Sequence, residues 1–99
     1  MKVVFTEDAG RDLLDIGDYI AADSPLRALS FVREVRRKAR DIGSQPRSFP
    51  VVPRYESKGI RRRRFRAYLI FYRVDPQAVV ILHILHGARD YEVLLDKLP

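Results

Sequence analysis

The first quarter of the chain spaces its apolar residues with the period of an α-helix. Successive apolar positions are four, three and four residues apart, which places them on one side of a helix of about four turns. They are Ala9, Leu13, Ile16 and Ile20, and the opposite side carries Asp12, Asp15 and Asp18. Thr6 precedes the stripe and is a residue type that caps helix N-termini. The pattern predicts an amphipathic helix that begins after Thr6.

A second helix is predicted from Ser24 to about Ile42. Ser24 suits the N-cap and Pro25 the first helical position, where a missing N–H has no partner to lose. Gly43 is a natural residue at which to end the helix. The apolar stripe consists of Ala28, Val32, Val35, Ala39 and Ile42. Because only two or three residues join the helices, they form an antiparallel hairpin.

Four segments have the composition of β-strands. They are Lys2 to Thr6, Ile60 to Ala67, Tyr68 to Val74 and Val79 to His86. The last is apolar almost throughout, which is typical of a central strand that the chain covers on both faces, or that it covers on one face and a partner on the other. A proline-containing loop precedes the second strand, and Arg89 to Leu98 predicts a short terminal helix.

The order β-α-α-β-β-β predicts one α+β domain over residues 1–99, since domains of about 100 residues are common. The helical hairpin packs on one face of a small, mostly antiparallel sheet. A hairpin covers only one face of such a sheet, so the other face is open or filled by something else. We expect functional residues on that second face.

Composition excludes several classes of protein. The chain has no cysteine, which excludes disulfides and thiolate metal sites. Its longest uncharged apolar run, Val79 to Leu85, is far shorter than the ~20 residues of a membrane span. No signal peptide is recognisable at the N-terminus, so we expect a cytoplasmic protein without a membrane partner.

The net charge of +6 is concentrated in the middle of the chain. Residues 26–73 contain fifteen basic side chains against Glu34, Asp41 and Glu56. Such a concentration is typical of a protein with an acidic partner, either nucleic acid or an acidic protein segment. On the helix, the same residues also suit a solvated face.

The run Arg61 to Arg64, followed by Arg66, is the most unusual segment. Alternate residues of a strand point to opposite faces, so these arginines lie on both. That arrangement suits a strand with an uncovered face, or an edge strand on which charge prevents unwanted pairing. Guanidinium groups on such a strand also bind phosphates or carboxylates.

Few residues offer catalytic chemistry. The chain has no Gly-rich phosphate loop and no nucleophile motif, and we expect no cofactor. His83 and His86 are three apart on a strand, so strict alternation places them on opposite faces, where they cannot share a metal ion. We expect no metal site, and a buried position for His83. His86, Arg89 and Tyr91 suit an RNA-cleavage site, although these residue types also cluster by chance in basic proteins.

The segments Tyr68 to Val74 and Val80 to Asp90, with the ending Leu-His-Gly-Ala-Arg-Asp, resemble the C-terminal half of ParE-type toxins of the RelE/ParE superfamily. The upstream helices and Pro46 are also similar to that family, so the resemblance spans the whole chain. It implies a bacterial type II toxin–antitoxin system and the RelE/ParE-like fold.

The resemblance implies a ParD-like antitoxin as partner. That antitoxin has a DNA-binding part and a segment that folds as it wraps the toxin, so the toxin meets DNA only through it. The basic residues of the middle region are the candidate antitoxin contacts. They are Arg33, Arg37, Arg40, Arg61, Arg62, Arg63, Arg64 and Arg66.

The resemblance leaves two targets. RelE-like members cleave messenger RNA on the ribosome, whereas ParE-like members poison DNA gyrase and have no catalytic residues. The RelE pattern has three basic or tyrosine positions. Only Arg89 matches it here, since Leu69 occupies the first position and Leu95 lies near the third. The loss of two of the three favours gyrase as the target. The candidate target contacts are Tyr72, Arg73, His86, Arg89 and Tyr91. The alternative is a ribosome-dependent endoribonuclease with Arg89 on the scissile phosphate and His86 or Tyr91 in proton transfer.

Overall fold

A computed structural model describes all residues, 1–99, and confirms the predicted order of elements. A strand precedes two long helices, three further strands follow, and a short helix ends the chain. The elements are β1 (Lys2–Phe5), α1 (Glu7–Ala21), α2 (Pro25–Asp41), β2 (Ile60–Phe65), β3 (Tyr68–Val74), β4 (Ala78–His86) and α3 (Glu92–Leu95). Short 3₁₀ turns occupy Ile42–Ser44 and Glu56–Lys58. None of the helices has the length and apolar character needed to cross a membrane.

The sheet has four strands in the order β1-β4-β3-β2. Only the β1–β4 pair is parallel; the β3–β4 and β2–β3 pairs are antiparallel. The apolar strand β4 is therefore central, as its composition predicts. The arginine-rich strand β2 lies at the edge of the sheet, which is one of the two positions that its sequence allows.

Both helix starts form as the sequence predicts. The Thr6 hydroxyl accepts a hydrogen bond from the backbone N–H of Ala9 (3.1 Å), and the Ser24 hydroxyl accepts one from Arg27 (3.3 Å). The end of α2 is different in detail. Gly43 lies in a 3₁₀ turn where a Cβ atom would overlap the carbonyl oxygen of Met1. The glycine is therefore required by the close approach of β1.

One face of the sheet packs against the helical hairpin and forms the larger core. Stripe residues of both helices meet side chains from β3 and β4 there. The buried members are Ala9, Leu13, Ile16, Val35, Ala39, Ile42, Ile70, Tyr72, Val79, Ile81 and Ile84. The helix stripes read from the sequence therefore face the sheet.

The second face of the sheet is covered by the chain itself, which decides between the two alternatives that the sequence leaves. The loop before β2 and the C-terminal segment form a second core there. Its buried members are Val52, Tyr55, Ile60, Leu69, Phe71, Leu82, Leu85 and Leu95. An apolar sheet face is thus not available to solvent as a functional surface.

Polar contacts fasten the C-terminal segment over this second core. The Lys58 ammonium donates to the carbonyl oxygens of Leu95 (3.2 Å), Asp96 (3.1 Å) and Leu98 (2.7 Å). The Tyr55 hydroxyl donates to Asp96 Oδ1 at 2.6 Å. These contacts fix the position of α3 relative to the loop.

Candidate functional site

A cleft of about 210 Å³ lies between α1 and the C-terminal end of β4. Two sequence-predicted site residues, His86 and Arg89, line it together with Tyr68. The α1 side contributes Asp12, Asp15, Ile16 and Tyr19. The cleft thus combines carboxylates, tyrosines and basic groups at one end of the sheet.

His86 is held in the cleft by its neighbours. Its ring meets the Tyr68 ring edge to face with centroids 5.3 Å apart. Its Nδ1 accepts a hydrogen bond from the backbone N–H of Ala88 at 3.1 Å, so the proton of the neutral imidazole resides on Nε2. In the neutral ring the other nitrogen, Nε2, is therefore a hydrogen-bond donor.

Tyr68 is half-buried where the cleft meets a second depression beside α2. Burial raises the pKa of the Tyr68 hydroxyl, with a smaller contribution from Tyr19. Tyr68 is therefore a neutral donor and aromatic wall at physiological pH.

A β-bulge changes the position of His83 and His86 relative to the helices. The β3–β4 register shifts between Phe71, which pairs with His83, and Tyr72, which pairs with Ile81. The shift places His86 on the helix side of the sheet, the side of Val79 and Ile81. From His83 to His86 the pairing with β3 is regular, so the two histidines alternate between the faces, as the sequence predicts. His83 is 6% exposed, in agreement with the buried position expected for it.

The partner of His83 is Asp12, a residue that helical periodicity assigned only to the polar side of α1. Asp12 Oδ2 lies 2.8 Å from His83 Nδ1 and accepts the backbone N–H of Ile84 at 3.0 Å. No spacing in the sequence signals this contact, because 71 positions separate the two side chains. No group of three or more His, Asp or Glu side chains is close enough to hold a metal ion.

The other three candidate target contacts do not join this cleft. Tyr72 is fully buried, and its hydroxyl donates to the Pro46 carbonyl oxygen at 2.7 Å. Burial raises the pKa of the Tyr72 hydroxyl, against the lowering effect of nearby arginines. Arg73 lies at the far end of β3, beside Asp75. Since Tyr72 has no exposed surface, it cannot contact a target in this fold.

Tyr91 lies on the opposite face of the sheet from His86. Its ring packs on Phe71, with centroids 4.9 Å apart, and belongs to the second core. Its hydroxyl accepts a hydrogen bond from Arg62 Nη1 at 3.0 Å. The structure therefore brings His86 and Arg89 together but separates Tyr91 from them.

Three of the eight candidate antitoxin contacts are half-buried and bonded to other segments of the chain. Arg61 Nη1 donates to the Phe49 carbonyl oxygen (2.7 Å) and Arg63 Nη1 to that of Lys38 (2.9 Å). Arg62 holds Tyr91, as described above. These half-buried guanidinium groups fasten loops and α2 to the edge strand, a role that the sequence does not indicate.

The other five candidate arginines are exposed. Arg33, Arg37 and Arg40 lie on α2, whereas Arg64 and Arg66 lie at the end of β2. Arg66 has a positive φ of 54° in the turn between β2 and β3, and its guanidinium lies 3.5 Å from Glu34. An acidic partner therefore has access to two separate basic areas.

Residues 3–91 match the family model described as ParE toxin of the type II toxin–antitoxin system parDE. The chain belongs to the ParE toxin family. No curated protein is similar enough in sequence to narrow this assignment.

Two solved complexes contain chains with this fold. One is a chromosomal ParDE system from P. aeruginosa, with a TM-score of 0.69 and 23% identity, covering 87% of this chain and 95% of that one. The other is the RelBE2 toxin–antitoxin complex from Mycobacterium tuberculosis. It has a TM-score of 0.63 and 30% identity and covers 86% of this chain and 95% of that one. The fold is thus similar to that of chains in both a ParDE and a RelBE2 complex.

Proposed function

We propose that this toxin acts by inhibiting DNA gyrase, without catalytic residues of its own, and that a ParD-like antitoxin neutralises it. One observation carries the choice of target: the three candidate cleavage residues, His86, Arg89 and Tyr91, do not share one site. His86 and Arg89 share the cleft beside α1, whereas Tyr91 lies across the sheet and is bonded to Arg62. A general base and a general acid must both reach the reacting atoms.

Two further observations support this proposal. Leu69, at a position that is basic in the RelE pattern, is 3% exposed and packs in the second core. His86 Nδ1 accepts the backbone N–H of Ala88, so the lone pair of that nitrogen is already used within the chain. The exposed groups that remain, His86 and Arg89, suit recognition of a protein surface.

The antitoxin proposal rests on the charge of the exposed arginines. An acidic, initially disordered segment gains charge-assisted hydrogen bonds from Arg33, Arg37 and Arg40 on α2, and from Arg64 and Arg66 at the sheet edge. The complexes solved for ParDE and RelBE2 show that relatives assemble with antitoxins. Arg61, Arg62 and Arg63 contribute mainly by holding the edge strand in place.

The experiment that tests the target compares two assays on toxin freed from its antitoxin. Gyrase supercoiling and cleavage-complex formation are measured beside cleavage of messenger RNA on programmed ribosomes. We expect gyrase inhibition with intact RNA. Codon-phased RNA cleavage with unaffected gyrase would establish the endoribonuclease instead.

A further inference from the structure

The depression that meets the cleft at Tyr68 is a groove of about 340 Å³ between α2 and the turn that joins β2 to β3. Its volume lies within the range of small-molecule sites, about 300–1,000 Å³. Helix α2 contributes Arg27, Ser30, Phe31 and Glu34, and the sheet contributes Tyr68. Arg27 and Glu34 are two helical turns apart, so the groove is about 10 Å long. These dimensions suit a small organic molecule.

Most polar groups of this groove are hydrogen-bond donors that have no partner in the chain. Arg27 is exposed, forms no ion pair and offers the N–H groups of a complete guanidinium. The hydroxyls of Ser30 and Tyr68 are bonded to no other group, and neither is sealed from solvent. Burial raises the pKa of Tyr68, so its hydroxyl stays protonated and donates. A ligand for this groove is therefore rich in acceptor atoms and negatively charged near Arg27.

The middle of the groove is apolar and aromatic. Ile20 and Phe31 are half-buried there. The Phe31 ring meets the Tyr68 ring edge to face, with centroids 5.3 Å apart, and this contact fixes its orientation. Aromatic side chains bind the faces of other planar rings. The groove thus favours a ligand whose body is a planar ring system.

Glu34 and Arg66 form the end of the groove that is farther from Arg27. Their side chains lie 3.5 Å apart, and Glu34 is the only carboxylate in the groove. Arg66 has a φ of 54° in a two-residue turn, a conformation that favours glycine or asparagine. Strain of this kind in a residue with a long side chain is typical of ligand-binding positions. This end therefore presents an acceptor, Glu34, to the donors of a ligand.

We propose that this groove binds a guanosine monophosphate, with the phosphate at Arg27 and the base over Phe31 toward Glu34. A phosphate accepts the charge-assisted hydrogen bonds that the guanidinium of Arg27 and the neighbouring Ser30 hydroxyl offer. Guanine carries two donors side by side, its ring N1–H and its amino group, and a carboxylate accepts both. Glu34 therefore favours guanine over a base that lacks this pair of donors.

The arginines of the groove also allow an acidic segment of the antitoxin as occupant, but Glu34 favours the nucleotide. Its carboxylate repels a run of acidic side chains, whereas a nucleotide presents ring donors to it and only one anionic group. Arg66 is shared with the proposed antitoxin contacts, so the variants below leave it unchanged. His86 and Arg89 do not line this groove, so the proposal does not depend on the gyrase target.

Titration of the free toxin with guanosine monophosphate, followed by heteronuclear NMR, tests the proposal. The amides of Ser30 and Tyr68 should shift saturably, with a dissociation constant on the order of 0.1 mM because the groove is open to solvent. Arg27→Gln should raise this constant about tenfold or more, as loss of a charge-assisted hydrogen bond does. Glu34→Gln should abolish the preference for guanosine over inosine monophosphate, which lacks the amino group. Arg47→Gln, at an exposed position in the loop before β2, is the matched control and should bind normally.

Comparison ligands separate the nucleotide from other sources of phosphate. Inorganic phosphate that binds as tightly as the nucleotide would overturn the proposal, since the ring contacts would then contribute nothing. Absence of saturable shifts up to about 10 mM nucleotide would overturn it as well. Tighter binding of a single-stranded oligonucleotide would assign the groove to nucleic acid. An Arg27→Gln variant that loses affinity for antitoxin but not for nucleotide would assign it to the antitoxin. The circular dichroism spectrum of each variant should match that of wild type, because Arg27 is exposed and Glu34 contacts only Arg66.

Discussion

His83 Nδ1 lies 2.8 Å from Oδ2 of Asp12, and this contact joins α1 to β4 beyond the point where β1 ends. The last β1 pair is Phe5 with Ile81, so the outer edge of β4 lacks a neighbouring strand at Ile84. The same Asp12 oxygen accepts the Ile84 N–H at 3.0 Å. An ionised carboxylate only accepts, so Asp12 satisfies two donors where the sheet cannot.

Replacing Asp12 should therefore destabilise the fold. Asp12→Ala leaves the Ile84 N–H and His83 Nδ1 without an acceptor, and an unsatisfied buried donor costs about 1–3 kcal/mol. Urea unfolding followed by circular dichroism measures the loss. Asp23→Ala, at an exposed position in the joint between the helices, should change stability by less than about 0.5 kcal/mol. Equal stability of both variants would show that the Asp12 contacts contribute nothing.

The cleft residues provide the test of target recognition. Arg89 is exposed and makes no ion pair, so Arg89→Ala should preserve the fold while reducing gyrase inhibition by about tenfold or more, as loss of a charged contact does. Inhibition is measured as the toxin concentration that halves supercoiling. Arg47→Ala removes an exposed arginine elsewhere and is the matched control. Undiminished inhibition by the Arg89 variant would exclude this cleft from the target interface.

The fold could be predicted because the sequence carries clear local patterns. Apolar spacing of three and four defines both helices, and the caps Thr6 and Ser24 mark where they begin. The uninterrupted apolar strand ending at His86 indicates a central position. These are local signals, which each segment carries independently of its neighbours.

The site was less predictable because it depends on contacts between distant segments. Tyr72 and Tyr91 look available in sequence, but the first is enclosed by the hairpin and the second by the C-terminal segment. Arg61 and Arg63 look like a partner surface, but carbonyl groups 12 and 25 positions away bind them. A single inserted residue in the bulge also places His86 on the helix side of the sheet, and no spacing rule detects it.

The Tyr55–Asp96 hydrogen bond predicts a change of stability at high pH. That bond, followed by burial, raises the pKa of Tyr55 from its ordinary 10.0 to about 12. Between these pH values the unfolded chain loses the Tyr55 proton while the folded chain keeps it. The stabilisation is therefore complete below pH 10 and is lost as the pH rises toward about 12.

Tyrosinate absorbance follows this ionisation directly. The difference between wild type and Tyr55→Phe should contain a component that titrates near pH 12, and Asp96→Asn should move that component toward 10.0. Glu56→Gln removes an exposed carboxylate next to Tyr55 in the sequence and serves as the control. If the Tyr55 component titrated at the same pH in wild type and in Asp96→Asn, the hydrogen bond to Asp96 would not be what raises the pKa of Tyr55.

Two glycines should respond to alanine in opposite directions. Gly43→Ala places a methyl group against the Met1 carbonyl oxygen and Val3 Cγ2, so β1 must move and the fold should lose about 1–3 kcal/mol, as overpacked cores do. Gly10→Ala meets no atom within 4 Å and should gain about 0.5–1 kcal/mol from helix propensity. Both are measured by urea unfolding. A Gly43→Ala variant as stable as wild type would show that β1 and the turn after α2 can accommodate a methyl group. The close approach of β1 would then not explain why residue 43 is glycine.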